Sequence, residues 1–330
     1  MSQMPMEPRP GVYENYWDFA SERQAVFEKR AAGLPKPWTD NPIIQTFKFC
    51  NVYRASDRVS QYLIKDVIYD EEASSEADAL FQIVAFRMFS SIETWQGIRS
   101  WLGRQPTIAD LRNGQFLRAI ESVKASNRTI YTGAFILCAT DAYGHREKHL
   151  NHVALFMDMF AEGGLTKTVL GAKSLAEVFA AIKTYPLMGD FMSYQLAIDI
   201  NYSELTDFSE SSFVQPGPGA LRGLKKMFTS LGGRTPSQAI MWMVENQDAE
   251  FHRLGLPFEG LSGRPLQAID CQGLFCEVDK YCREAVPWLT SSRSRIKQRF
   301  SPSTAKIDYF FPPKWGINPT LGPSLRQAVA

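Results

Sequence analysis

Apolar residues recur at three- and four-residue intervals along most of the chain, and strict alternation is rare, so the pattern predicts helices rather than strands. A first helix is expected over Asn15 to Arg30, stopped by the Gly33 to Pro37 breaker. The next, Ala55 to Ile68, places Val59, Leu63 and Val67 on one stripe, with Arg54 and Arg58 near its start. Glu76 to Trp101 is long and strongly apolar, containing FQIVAFRMF, so its middle is expected in the core. Further helices are expected at Ile108 to Ser126, Arg146 to Ala161, Ser174 to Thr184, Phe191 to Ile200, Ala220 to Ser230, Thr235 to Leu254 and Phe275 to Ala285. The closing FFPPKWGINPTLGP resists helix formation because its prolines remove backbone donors and fix φ, and an extended course over the body is expected. The class is all-α, with no internal repeat, low-complexity segment or Gly-rich nucleotide loop.

A chain of 330 residues with 45% hydrophobic and 12% aromatic residues buries a large core, as one large domain or two closely packed lobes. No run of about 18 apolar residues appears. The opening MSQMPMEPRPGVYENYWDF lacks the basic-then-apolar pattern of a secretory signal, so an intracellular protein with no membrane partner is expected. The five cysteines, Cys50, Cys138, Cys271, Cys276 and Cys282, are odd in number and form no CxxC pair. That argues for reduced thiols and against a disulfide framework or zinc knuckle. The net charge of +1 conceals a gradient. Residues 291–330 form a basic, Pro-rich tail in which Arg293, Arg295, Lys297, Arg299, Lys306, Lys314 and Arg326 face the single acid Asp308. Such a tail either sits on phosphates or is simply solvated.

The most informative stretch is Tyr185 to Phe228, where a turn at Pro186 to Gly189 precedes one apolar helix. The device repeats at Pro216 to Gly219, before a helix bearing Arg222, Lys225 and Lys226. Glycines such as Gly189, Gly217 and Gly219 let backbone approach a ligand, and a helix N-terminus suits an anion such as a DNA phosphate. Ordinary capping turns are the alternative. Between the turns lie Asp199, Asp207 and Glu210. Helix-hairpin-helix DNA glycosylases place their catalytic carboxylate about twenty residues beyond the hairpin glycine, which from Gly189 arrives near Glu210. Alternatively Glu210 is a helix cap or surface acid, and Asp199 a buried, hydrogen-bonded one.

Arg54, Asp57 and Arg58 can share a helical face through i,i+3 and i,i+4 spacing, making either a clamp for phosphate or carboxylate or a structural ion-pair network. In DCQGLFCEVDKYCRE, Cys276, Glu277, Lys280 and Tyr281 lie within one or two turns. Glu277 is a candidate base and Lys280 a candidate partner for a leaving phosphate, unless the two form an ordinary surface pair. His145, His149 and His152 raise a metal site, but no carboxylate or cysteine pattern completes one and none is assigned. Trp17, Trp38, Trp95 and Trp315 are candidates to stack on a flipped base, with core packing the alternative.

Taken in order, NYWDFASERQAVFEKR, PWTDNPI, FCNVYRASDRVSQYL, DFMSYQLAIDINYSE, FVQPGPGA, DCQGLFCEVDKY and FPPKWGIN resemble the alpha-glutamyl/putrescinyl thymine pyrophosphorylase family, also described as amino acid:DNA transferases. The resemblance runs from about Asn15 to Asn318. It implies a DNA-glycosylase-like helical fold acting on hypermodified thymines, chiefly in phage DNA. A separate kinase phosphorylates 5-hydroxymethyluracil in double-stranded DNA. The transferase then replaces phosphate or pyrophosphate with an amine, from an amino acid such as glycine or glutamate or from a polyamine, with no cofactor. The implied candidates are Glu210, Asp199, Glu277 and Lys280 for catalysis, and Arg54, Asp57, Arg58 and Tyr281 for substrate. Gly189, Gly217, Gly219, Arg222, Lys225, Lys226, Lys314 and Trp315 are the candidates for DNA. In a phage the product would shield the genome from restriction enzymes, which read base edges in the major groove. Two other readings use the same residues: a glycosylase leaving an abasic site, and a non-catalytic module that binds modified DNA.

Overall fold

The computed structural model describes residues 4–70, 75–126, 129–132, 141–289, 296, 298–301 and 307–321. Cys138 and the tail cations Arg293, Arg295, Lys297, Lys306 and Arg326 lie outside them. The chain divides into two compact units, Met1–Asp57 with Phe213–Ala330, and Arg58–Ser212. Both are built almost wholly from helices.

The first, composite unit opens with β1 (Glu7–Pro8), α1 (Glu14–Ala31) and α2 (Pro42–Thr46). Glu14 at the start of α1 and Lys29 and Arg30 at its end complement the helix dipole. Asn41 caps α2 by accepting from the Ile43 and Ile44 amides, and Pro42 stands where no donor is needed.

The second unit holds α3 (Arg58–Tyr62), a π-helical stretch (Leu63–Ile68), α4 (Glu76–Phe89), α5 (Ile92–Leu102), α6 (Ile108–Arg112), α7 (Gln115–Ala125), α8 (Lys148–Met159), α9 (Gly164–Gly171), α10 (Leu175–Lys183) and α11 (Asp190–Asn201). Its starts are written in short polar side chains: Ser75, Ser91, Thr107 and Ser174 each accept a backbone amide of the helix they begin. Phe81, Phe86, Phe89, Trp95, Phe116 and Phe156 form its aromatic core. Inside that core Arg87 makes a bidentate pair with Asp199, Nη2 to Oδ1 being 3.0 Å, and both side chains are excluded from water.

The chain then returns to the composite unit with α12 (Pro218–Met227), β2 (Phe228–Ser230), α13 (Pro236–Leu254) and α14 (Ala268–Ala285). β1 and β2 pair antiparallel, and Arg9 donates to the Lys226 and Lys225 carbonyls at the end of α12, where a cation suits the dipole. Tyr13, Tyr16, Trp17, Phe228, Phe251 and Phe275 form this unit's aromatic core. No helix among the described residues is long and apolar enough to cross a membrane.

Three expected helices are interrupted. Arg54–Ser56 is a separate 3-10 turn and Asp57 is extended, so Arg54, Asp57 and Arg58 do not share a helical face. Ser90, at φ 48°, separates α4 from α5, and Gly114, at φ 78°, separates α6 from α7. The apolar period runs through all three breaks, which is why periodicity alone joins the pieces. The helix expected from Phe275 begins earlier, at Ala268, because Gln267 and Asp270 form a reciprocal cap. The closing Pro-rich run is not simply extended: it makes 3-10 turns at Pro313–Trp315 and Asn318–Thr320, with Asn318 bonded to both backbone groups of Phe311.

The glycine-rich turns also differ from expectation. Gly189 and Gly217 are helix N-caps with extended φ of −76° and −79°, conformations open to any residue. The left-handed residue of the first turn is Leu187. Gly219 lies inside α12, where a Cβ would overlap Cys276, and one on Gly223 would overlap the Phe275 carbonyl. Two glycines four positions apart therefore seat α12 against α14 backbone to backbone. Gly223→Ala should lower stability by about 1–3 kcal/mol or more in urea denaturation. The contrasting Gly273→Ala, where a Cβ meets nothing within 4 Å, should be neutral or mildly stabilising.

Candidate functional site

Titratable side chains converge in the composite unit, where α1, the loop after α2 and α14 meet. Arg23 lies on the inner face of α1 at 7% exposure. Its one hydrogen bond among the described residues runs from Nη2 to Asn51 Oδ1, at 2.6 Å. Asn51 closes the loop on itself, donating its amide to Asp57 Oδ1 at 3.0 Å and its side chain to the Ser56 carbonyl at 2.8 Å. Asp270 ties the same loop to the start of α14 by accepting the Arg54 amide at 3.0 Å.

One turn and more along α14, Glu277 Oε2 accepts the Cys50 amide at 2.9 Å and pairs with Lys280 at 2.7 Å. Both contacts use Oε2, and Oε1 has no hydrogen-bond partner among the described residues. The Lys280 ammonium also lies 4.7 Å from the centre of the Phe49 ring. Tyr281 packs on Phe19 and Phe49, and its hydroxyl accepts from Asn41 Nδ2, which is shared with Glu22.

The electrostatics follow from this geometry. Loss of water pushes the Asp57 carboxyl up to about 6, against the Asn51 amide and the Arg23 charge that favour its ionised form. Burial likewise pushes Asp270 up to about 6. Burial would lower the Lys280 ammonium, but Glu277, together with Cys50 and Cys276, raises it, and the net shift is upward. The Glu277 charge raises the Cys50 thiol well above its ordinary range, and burial raises Cys276 to about 11, so neither thiol is activated. The arrangement therefore sets Arg23, Arg54 and Lys280 and the carboxyl groups of Asp57, Asp270 and Glu277 around a polar loop, Glu277 keeping an oxygen uncommitted. It is suited to binding an anion and accepting a proton.

Of the residues singled out in the sequence, Arg54, Asp57, Glu277, Lys280 and Tyr281 come together here. Arg23, Asn51 and Asp270 belong with them and were missed: Arg23 sits mid-helix among apolar positions, and Asn51 and Asp270 matter through loop contacts that no spacing encodes. Arg222 and Lys226, expected on DNA, instead converge with Arg283 on the fully buried Asp279, at 3.0, 3.1 and 2.8 Å. Burial alone would raise Asp279, but Arg283 and Lys226 hold it below the ordinary range. Lys225 is exposed but lies in the last turn of α12, away from the helix N-terminus expected to hold phosphate. Trp315 carries the Arg264 guanidinium 3.9 Å from its ring centre and stacks on Phe311, with half-buried Lys314 beside it in sequence.

The remaining candidates belong to the second unit. Asp199 commits both oxygens to Arg87, which removes it from the candidate bases. Glu210 is 5% exposed in the loop after α11, Gly189 caps that helix, and Arg58 is exposed at the start of α3. His149 faces Glu147 at 3.3 Å, and His152 meets the Tyr131 hydroxyl at 2.9 Å. No group of three metal-ligating side chains occurs among the described residues.

The raised Asp57 carboxyl has a testable sign. Folded chains keep the proton that unfolded chains release above the ordinary 3.8, so this group's stabilisation is full below that value and is lost as pH rises through about 6. Asp57→Asn, which still offers an oxygen to the Asn51 amide, should flatten the decline of stability between these limits in denaturation curves taken across pH.

The family described as the helical domain of 5-hmdU DNA kinase matches residues 10–291. A 5-hmdU DNA kinase of Bacillus phage SP10 is 24% identical over 334 residues, covering 93% of this chain and 51% of the phage protein. The chain thus spans about half the length of that relative. No solved structure matches.

Proposed function

Because this chain belongs to the 5-hmdU DNA kinase helical-domain family, we propose that it is a phage DNA-modification enzyme whose helical body recognises 5-hydroxymethyluracil, or its phosphorylated form, in DNA. The resemblance to thymine pyrophosphorylases and the match to the helical domain of 5-hmdU DNA kinase share that base as common ground. The reaction proposed is replacement of phosphate by an amine. The base leaves the stack, and the amine nitrogen bonds to the methylene carbon on C5. The carbon–oxygen bond to phosphate breaks, with the electron pair leaving on the phosphate.

The carrying observation is the Glu277–Lys280 pair, in which a carboxylate with an uncommitted Oε1 stands beside an ammonium. Glu277 takes the proton released by the attacking amine. Lys280 and Arg23 meet the departing phosphate, and either is suited to a co-substrate carboxylate. The glycosylase-like character of the fold remains part of this proposal, with Glu210 the corresponding carboxylate in the second unit.

The name of the phage relative favours a second reading, in which this body presents 5-hydroxymethyluracil for phosphorylation. Phosphorylation by these 330 residues would need a triphosphate seat other than a Gly-rich loop, which the sequence does not contain.

Nucleoside mass spectrometry separates the two. DNA bearing phosphorylated 5-hydroxymethyluracil, incubated with the protein and a pool of amino acids and polyamines, should yield thymidine carrying the amine. Addition of one phosphoryl group to unphosphorylated 5-hydroxymethyluracil with ATP would establish the second reading instead, and abasic sites would indicate a glycosylase. Glu277→Gln keeps an acceptor for the Cys50 amide, so its fold and DNA affinity should persist while turnover falls by roughly 100-fold or more.

A further inference from the structure

Trp38, three residues before the Asn41 that touches Tyr281, stands among cations that the candidate site does not use. The Lys36 ammonium is 5.4 Å and the Arg30 guanidinium 6.0 Å from its ring centre, and Lys29 donates to its carbonyl at 3.0 Å. The indole N–H is bonded to the Leu34 carbonyl at 2.7 Å, which fixes the ring orientation. Leu34 itself is 51% exposed.

A short piece of the tail completes this surface. Phe47 pairs antiparallel with Arg299, the Lys48 amide donates to Gln298, and the Phe300 amide donates to Thr46. That pairing brings the Phe300 ring edge-on to Trp38, at 6.3 Å between centres. Lys48 and Arg299 are exposed on the two paired strands. Within residues 28–48 the exposed acids are Glu28 and Asp40, so cations predominate once Arg299 is counted.

Clustered cations beside aromatic faces fit a strand of nucleic acid, whose phosphates meet the charges and whose bases stack on rings. We propose that the Trp38–Phe300 patch, with Lys36, Lys48 and Arg299, is the surface on which the DNA strand runs as it enters the Glu277–Lys280 site. The loop from Trp38 to Asn41 is the physical link: Gln45 donates to the Thr39 carbonyl, Thr39 bonds Glu22, and Asn41 bridges Glu22 and Tyr281. A strand held at Trp38 is therefore held beside the acid–base cluster. The inference rests on the proposed DNA substrate, and assigns to this patch the contacts that the sequence had placed on Arg222 and Lys226.

Fluorescence anisotropy with a labelled DNA duplex containing 5-hydroxymethyluracil, over a salt series, tests the patch. Replacing Lys36 and Lys48 together by alanine should weaken binding by roughly five- to tenfold per lysine at about 0.1 M salt, and lower the slope of log affinity against log salt by about 0.9 for each. Trp38→Ala should weaken binding roughly tenfold with the slope unchanged. Circular dichroism checks that each variant is folded, and if Trp38→Ala is not, the lysine pair decides. Wild-type protein that binds DNA alongside a lysine variant of unchanged affinity and slope would overturn this inference and leave the proposed function standing. Wild-type protein that binds no DNA would overturn the proposed function and this inference with it.

Discussion

The composite unit depends on one buried carboxylate. Asp279 sits on α14 out of contact with water, and Arg222, Lys226 and Arg283 close on it from α12 and from α14 itself. A charge so placed is tolerable only while its partners hold, because desolvation of an unpaired carboxylate is worth several kcal/mol. The glycines of α12 make the grip possible by letting the two helices approach at Gly219 and Gly223. With α14 anchored on this face, its position and rotation are set.

The opposite face then carries the chemistry. At 100° per residue, Glu277 and Asp279 point to nearly opposite sides of α14, and Lys280 and Tyr281 follow Glu277 toward α1 and the loop after α2. Glu277 serves two purposes: one oxygen holds the Cys50 amide and the Lys280 charge, and the other is left over. Asn51 plays the corresponding part in the loop, setting Arg23 and Asp57 near one another without a direct bond between them. Positioning groups and candidate reacting groups thus share side chains, and the proposed acid–base role depends on a loop tied at several points.

Charge is divided in the same way. A near-neutral total hides cations turned inward to Asp279 and cations turned outward around Trp38. The inward ones are spent on the fold and have little left for phosphate. The outward ones lie beside the half-buried rings of Trp38 and Phe300 and are proposed to meet DNA. Lys226 and Lys36 therefore have unrelated tasks, according to whether a buried acid lies opposite.

Much of this was legible in the sequence, for local reasons. The apolar period determined the helical class and placed most helices, and Thr107, Ser174 and Thr235 stand at starts the sequence placed, because a cap needs only a neighbouring hydroxyl. The DCQGLFCEVDKY motif pointed to Glu277 and Lys280 because their spacing lies within one helix. The breaks at Ser90 and Asp57 were not legible, since apolar spacing continues across them. Nor was the difference between Lys226 and Lys36, or between Asp199 and Glu277. Those choices depend on which residue from a distant part of the chain arrives opposite: Asp279 for Lys226, Arg87 for Asp199, and only a backbone amide and a neighbouring lysine for Glu277. Local propensity is written along the chain, whereas desolvation and charge pairing exist only once the chain has folded.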